Sequence, residues 1–267
     1  MDTLETLLLG VLQGLTEFLP VSSSGHIAVL AWVFGIEEAG LSLAIVLHLG
    51  TLLATLLVFR ADVLQLLRTS ARTARRPSLA MSEHEDVAML RAIAIGTLPA
   101  LLVGLTLKDA VEALGRYPAA IGGAFLGTAT LLLVTRRQKD EGREGAPSAR
   151  DALLIGLAQA VAIAPGVSRS GSTIAVALLL GIGSASAFRF SFLLSLPAVG
   201  GAALLLLLDA SRASVSPNMW LGGLIAFVVG ILALLALRGV VQRGRLWWFA
   251  LYLVPLGLGL LAYGAFG

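Results

Sequence analysis

The chain has 267 residues, of which 57% are hydrophobic and only 13% charged, with a formal net charge of +3 and a mean hydropathy of +0.91. A soluble domain carries about a quarter of its residues charged, so this composition argues against soluble enzymes and nucleic-acid binders, and apolar residues in nearly every window exclude disorder. Cysteine is absent, which removes disulfides and thiol chemistry. The chain reads as an all-α integral membrane protein.

Asp2 and Glu5, with no Lys or Arg before Arg60, do not read as a cleaved secretion signal. A spanning helix needs about 20 mostly apolar residues. The first apolar stretch, 4–36, is broken by Pro20, by Ser22-Ser23-Ser24 and by Gly25. Each half is too short to cross a bilayer, and the pattern predicts a re-entrant helical hairpin. Spans follow at 41–59, 88–107 and 117–135. The stretch 152–182 is broken in the same way by Pro165-Gly166 and by Ser168-Arg169-Ser170-Gly171-Ser172, which predicts a second hairpin. Three more spans follow, at 188–208, 219–237 and 246–266. Irregular backbone at such depth is tolerated only where protein buries it or where it lines a cavity.

The two broken stretches are related. A shift of 146 residues carries Gln13 onto Gln159, Val21-Ser22 onto Val167-Ser168, and Ser24-Gly25 onto Ser170-Gly171, and it also pairs Gly10 with Gly156, Ala31 with Ala177 and Gly35-Ile36 with Gly181-Ile182. Composition alone does not place a shared V-S-x-S-G core. The chain therefore reads as one membrane domain, 1–267, made of repeat one (1–135) and repeat two (150–267). Three spans after each hairpin make the second copy inverted relative to the first. Loops 60–91, 136–150 and 238–245 hold fourteen of the nineteen Lys and Arg, while Lys108, Arg116 and Arg212 fall on the other face. Because cytoplasmic loops carry the basic excess, both termini are expected outside the cell membrane. Inverted repeats with broken helices bring helix N-termini together near the midplane, where they suit an anionic group.

Arg169 is the one cation inside a hairpin tip; an ionisable group at that depth costs about 3 kcal/mol or more and marks a functional site. The surrounding Pro165-Gly166-Val167-Ser168-Arg169-Ser170-Gly171-Ser172-Thr173 combines tight-turning glycines, hydroxyls and a helix start, a combination that favours phosphate oxygens. The Arg fork can hold two of them at once. The other tip, Ser22-Ser23-Ser24-Gly25-His26, offers matching donors. The bland reading of Arg169 is a pairing with Glu17 that only pins the hairpins together. Glu17 is the one acid between Glu5 and Glu37 and, with His26, brings proton chemistry to the first tip. His48 reads as a packing residue, and Arg189 as a side chain reaching toward the basic face.

The run Gln13-Gly14-Leu15-Thr16-Glu17-Phe18-Leu19-Pro20-Val21-Ser22-Ser23-Ser24-Gly25-His26 resembles the signature (E/Q)GLTEFLPVSS(S/T)GH, and residues 165–173 resemble PGxSRSGxT. Phe190-Ser191-Phe192-Leu193-Leu194-Ser195-Leu196-Pro197 fits the helix that follows. These motifs belong to the undecaprenyl-diphosphate phosphatases, also called bacitracin-resistance proteins, and the similarity runs along the whole chain. The resemblance implies a multi-pass enzyme of the cell membrane that removes one phosphate from a polyprenyl diphosphate and recycles the lipid carrier of envelope glycans. It implies an active site open to the extracytoplasmic side and a divalent cation, Mg²⁺ or Ca²⁺. The family's functional positions fall on Glu17, Ser23, His26, Ser168, Arg169 and Thr173.

The expected catalytic set is therefore Glu17, Ser23, His26 and Arg169. Phosphate binding is expected from Ser22, Ser24, Gly25, Ser168, Ser170, Gly171 and Thr173, and cation binding from Glu17 and Gln13. Relatives often have a second Glu where this chain has Gln13, and Gln where it has His48. Ser23, His26 and a water activated by Glu17 are all open as the nucleophile. Expected partners are the lipid substrate, membrane lipids and a second copy of the chain, with no nucleic acid; bacitracin is expected to sequester the substrate rather than bind the protein. A lipid flippase or transporter shares this architecture but needs no nucleophile beside its anion site. A purely structural subunit explains neither Glu17 nor His26.

Overall fold

The computed structural model describes residues 3–34, 41–76, 78, 84–137, 142–209 and 216–266. Among these the regular elements are helices; no strand forms, and β-pairing is limited to an isolated bridge between Arg143 and Ile182. Residues 35–36 of the first hairpin, Lys139 and Arg212 of the charge pattern, and residues 1, 2 and 267 at the ends lie outside the described residues.

Helices α1 (Thr3–Thr16) and α2 (Ser23–Phe34) fill the first interrupted stretch. Between them Pro20 has no N–H to continue the helical ladder. Next come α3 (Leu41–Val58), α4 (Arg60–Arg75), α5 (Glu85–Thr106), the short α6 (Lys108–Ala113) and α7 (Pro118–Val134). The second interrupted stretch forms α8 (Ala149–Val161) and α9 (Arg169–Leu179), followed by α10 (Ser184–Asp209), α11 (Pro217–Gln242) and α12 (Ala250–Phe266). Pro118 and Pro217 open α7 and α11, where the missing N–H has no helical partner to lose.

Among the described residues four helices are long and apolar enough to cross a bilayer: α5, α7 with the turn after it, α11, and α12 with the turn before it. Joined to α4, α3 makes a fifth candidate, bent by 81° at Phe59. This corrects the reading of 60–91 as a loop, since α4 and the first two turns of α5 lie within it. The cause is a sparse amphipathic pattern. Leu66 and Thr69 are buried against the bundle, whereas Arg68, Arg72 and Arg75 are exposed. One narrow apolar face is enough to hold α4 against the bundle.

The packing joins the two halves of the chain. Helix α1 packs on α11 and α8 on α5; α3 packs on α11 and α10 on α5; α7 packs on α12. Exchanging the halves maps this set of contacts onto itself. Small residues allow the close crossings. A Cβ on Gly10 would lie 2.6 Å from the Gly222 carbonyl oxygen, and Gly156, its partner under the 146-residue shift, abuts the Gly96 backbone.

Beneath the hairpin tips lies an aromatic stack. Phe18 meets Phe192 at 6.0 Å, and Phe192 meets Phe59 at 5.7 Å and Phe188 at 4.8 Å. Phe59 and Phe188 line a cavity of about 560 Å³ that also holds Asp62, Glu85 and Arg189. Arg189 does not simply reach for the surface: it donates to Asp62 at 2.6 Å and to Glu85 at 3.1 Å. It thereby ties α10 to α4 and α5.

Candidate active site

Each tip is a serine-capped helix start. Ser22 precedes α2, and its hydroxyl accepts the Gly25 N–H at 3.4 Å; Ser168 precedes α9, and its hydroxyl accepts the Gly171 N–H at 3.1 Å. A side-chain oxygen in this position satisfies one of the N–H groups that a helix start leaves without a partner. The Ser22 and Ser24 hydroxyls lie 3.3 Å apart, and those of Ser168 and Ser170 3.4 Å apart. All four pairings are related by the same 146-residue shift, so the shared V-S-x-S-G core is a capping device.

The tips differ in one respect. Ser168 has φ −79°, whereas Ser22 has φ +71° and is the one non-glycine residue with positive φ among those described. Side chains rarely adopt this region, and strain of this kind clusters at functional sites. The tips also touch. A Cβ on Gly25 would lie 2.6 Å from the Phe125 ring and 2.9 Å from the Gly166 Cα, and one on Gly171 would lie 3.0 Å from Pro20.

Glu17 sits just past the end of α1, where the first tip turns toward the second. Its Oε1 accepts from Arg169 Nη2 at 2.5 Å. Its Oε2 accepts from Ser23 Oγ at 2.9 Å and from Gln13 Nε2 at 3.1 Å. The side chains of Glu17 and Arg169 are 10% and 17% exposed, low enough for an ion pair to be strong yet still reachable. Glu17 is therefore not a lone acid in an apolar surround, because the opposite hairpin supplies its counter-ion. A water-sized cavity of about 10 Å³ adjoins the pair, lined also by Thr51, Thr55 and Ser195.

His26 is engaged at both nitrogens. Nδ1 lies 2.8 Å from the Ser22 carbonyl oxygen and Nε2 lies 2.7 Å from the Tyr252 hydroxyl. Thr173 is fully buried; its hydroxyl donates to the Arg169 carbonyl at 2.9 Å and also meets the Ser191 hydroxyl. It braces the second tip from below. The Ser168 N–H donates to Thr128 Oγ1 at 3.2 Å, which ties that tip to α7. Thus the hydroxyls of Ser22, Ser168, Ser170 and Thr173 serve the tips themselves. Ser23 and Ser24 are more open, and the first-turn N–H groups of α2 and α9 have no helical acceptor.

Two residues of the site escape a sequence reading. His48, taken as a packing residue, brings Nε2 to 4.0 Å from Glu17 Oε2, while its Nδ1 lies 2.8 Å from the Ala44 carbonyl. Tyr252 comes from α12, at the far end of the chain. His48 carries a weak sequence signal, being a titratable residue within an apolar span. Tyr252 carries none, because aromatic residues are ordinary in membrane helices.

The residues present make a poor cage for a hard cation. Glu17 is the one carboxylate at the tips, both of its oxygens accept hydrogen bonds, and Arg169 already neutralises it. Gln13 Oε1 is buried without a partner, but one neutral amide oxygen falls short of the oxygen ligands that Mg²⁺ or Ca²⁺ takes. Among the described residues no group of three His, Asp or Glu side chains is placed to hold a metal ion.

The profile of the family described as "Bacitracin resistance protein BacA" matches residues 6–259. The undecaprenyl-diphosphatase of Desulfatibacillum aliphaticivorans is 42% identical over 263 residues, covering 94% of this chain and 95% of that protein. That of Desulforapulum autotrophicum is 40% identical, with 97% of each chain covered. That of Carboxydothermus hydrogenoformans is 38% identical, covering 100% of this chain and 99% of the relative.

Proposed function

The chain belongs to the BacA family of bacitracin resistance proteins, and from that premise we propose that it is a multi-pass membrane phosphatase that hydrolyses undecaprenyl diphosphate to the monophosphate and inorganic phosphate. The observation that carries this reading is the position of Glu17, which joins a serine hydroxyl at 2.9 Å to the arginine of the opposite tip at 2.5 Å. Release of phosphate from undecaprenyl and farnesyl diphosphate by the purified protein tests it directly. A protein that moves the lipid across vesicle membranes without releasing phosphate would support the flippase reading instead.

In the proposed reaction the terminal phosphate docks on Arg169 and on the first-turn N–H groups of α2 and α9 that the Ser22 and Ser168 caps leave free. Only one of the five guanidinium N–H groups is spent on Glu17, so Arg169 can hold a phosphate oxygen and steady the charge of transfer. Glu17 takes the proton of Ser23 Oγ, a poor nucleophile until a base assists it. Ser23 Oγ then bonds to the terminal phosphorus, the bridging P–O bond breaks, and the lipid monophosphate leaves with the bonding electrons. Water, for which the cavity beside Glu17, Thr51 and Thr55 has room, then bonds to the phosphorus of the phosphoserine; the Ser23 Oγ–P bond breaks, Glu17 returns its proton to Ser23 Oγ, and inorganic phosphate leaves with both protons of the water. A phosphohistidine route is disfavoured because both nitrogens of His26 are already engaged.

The membrane arrangement is part of the same proposal. Six spans and two re-entrant hairpins form an inverted repeat, with the termini and the site facing outside the cell membrane. The contact set that survives exchange of the halves supports this, as does the basic excess on the face that carries α4. The divalent cation implied by the resemblance, Mg²⁺ or Ca²⁺, is proposed to arrive on the diphosphate rather than to reside on the protein. Bacitracin resistance follows if bacitracin sequesters the lipid diphosphate that this enzyme removes. Pairing with a second copy of the chain belongs to the same set of proposals.

A further inference from the structure

The turn that presents Ser23 is held from a distance. Ser22, directly before it, adopts φ +71°, a conformation that costs a non-glycine residue about 1–3 kcal/mol and persists only where its surroundings impose it. Two bonds converge on its carbonyl oxygen, from the His26 backbone N–H at 3.3 Å and from His26 Nδ1 at 2.8 Å. A carbonyl only accepts, so Nδ1 carries the proton, and in the neutral ring Nε2 is left as an acceptor. The group that donates to it is the Tyr252 hydroxyl, at 2.7 Å. The imidazole is also packed between rings: Tyr252 stacks on it at 5.6 Å with a 16° tilt, and Phe125 meets it at 5.3 Å.

We propose that Tyr252 is a positioning residue for the serine nucleophile, acting through His26 and the Ser22 carbonyl to hold the turn that points Ser23 Oγ at Glu17. The proposal rests on the reading of Ser23 as the nucleophile. A chain of three hydrogen-bonding groups runs from the last helix to the residue before Ser23, and every polar atom of the imidazole is spent on it. Tyr252 is itself 49% exposed, so its ring is not fixed by burial, whereas the His26 ring is enclosed. The phenol hydroxyl is the donor that completes the hydrogen bonding of the imidazole.

Tyr252→Phe isolates the hydroxyl, because it preserves both ring contacts. Its kcat should fall about tenfold, the worth of one well-made hydrogen bond, with KM for undecaprenyl diphosphate within about twofold of wild type. The chain has three histidines, so selective ¹⁵N labelling resolves His26. Its Nε2 resonance should move toward that of a nitrogen without a hydrogen bond. In a His26→Ala background the same substitution should cost almost nothing further, since coupled residues are not additive. A full wild-type kcat in Tyr252→Phe would overturn the proposal, as would an equal loss with and without His26. Failure of the serine reading looks different: Ser23→Ala would then keep near-normal turnover, whatever the Nε2 resonance does.

Discussion

Arg169 and Glu17 stand 152 residues apart in the chain and meet at 2.5 Å across the two hairpin tips. The pair has two consequences. It pins the hairpins together, and it keeps the guanidinium in front of the carboxylate that faces Ser23. In the proposed reaction an incoming phosphate takes up the remaining N–H groups of Arg169, so that one guanidinium bridges the phosphate and the carboxylate whose other oxygen faces Ser23.

Removing the fork should therefore cripple turnover. Loss of a contact that strengthens in the transition state commonly costs on the order of 10²–10³ in rate, and Arg169→Ala is expected in that range. Arg169→Lys should fail almost as badly, because a point charge cannot span both the carboxylate and a phosphate oxygen. Steady-state phosphate release by folded variants measures this, and wild-type turnover in Arg169→Ala would contradict it.

Contact between the tips makes a separate prediction. A methyl group at Gly25 would press on the Phe125 ring at 2.6 Å and on Gly166 Cα at 2.9 Å. Gly25→Ala should force the tips apart, destabilise the protein by about 1–3 kcal/mol and lower activity. At Gly123, where a Cβ would meet nothing, the same change should leave thermal stability and turnover near wild type.

Much of this architecture was legible in the sequence for identifiable reasons. Pro, Ser and Gly are concentrated at the tips, and the expected span 117–135 compares with a helix at Pro118–Val134, since Tyr117-Pro118 and Arg136-Arg137 punctuate both ends. Helix α4 was missed because its arginines mask a one-sided apolar pattern. His48 and Tyr252 were missed because tertiary packing alone brings them to the tips; Tyr252 is 226 residues from His26. Both Glu17 and Arg169 stood out by their isolation, yet only the fold makes them partners.

Topology is open to chemical labelling, since the chain has no cysteine of its own. Arg116→Cys should react with an impermeant thiol reagent in intact cells, and Ser78→Cys should react only after the cells are broken. Both positions are exposed. Labelling of Ser78→Cys in intact cells would contradict the proposed orientation.

Cation dependence can be separated from cation residence. With the donor set reduced to one neutralised carboxylate, equilibrium dialysis of the substrate-free protein against Mg²⁺ or Ca²⁺ should find no stoichiometric binding. Chelation should still lower phosphate release from the lipid diphosphate, and restored Mg²⁺ or Ca²⁺ should recover it. Tight one-to-one binding without substrate would show a resident metal site and overturn this view.

The most direct test of the serine mechanism is to quench the enzyme with acid during turnover of undecaprenyl diphosphate labelled at its terminal phosphate, and to map the label by peptide sequencing. The account predicts an acid-stable phosphoserine at Ser23 that is lost in Ser23→Ala together with activity. An acid-labile label on His26, or near-normal turnover of Ser23→Ala with no labelled protein, would contradict it.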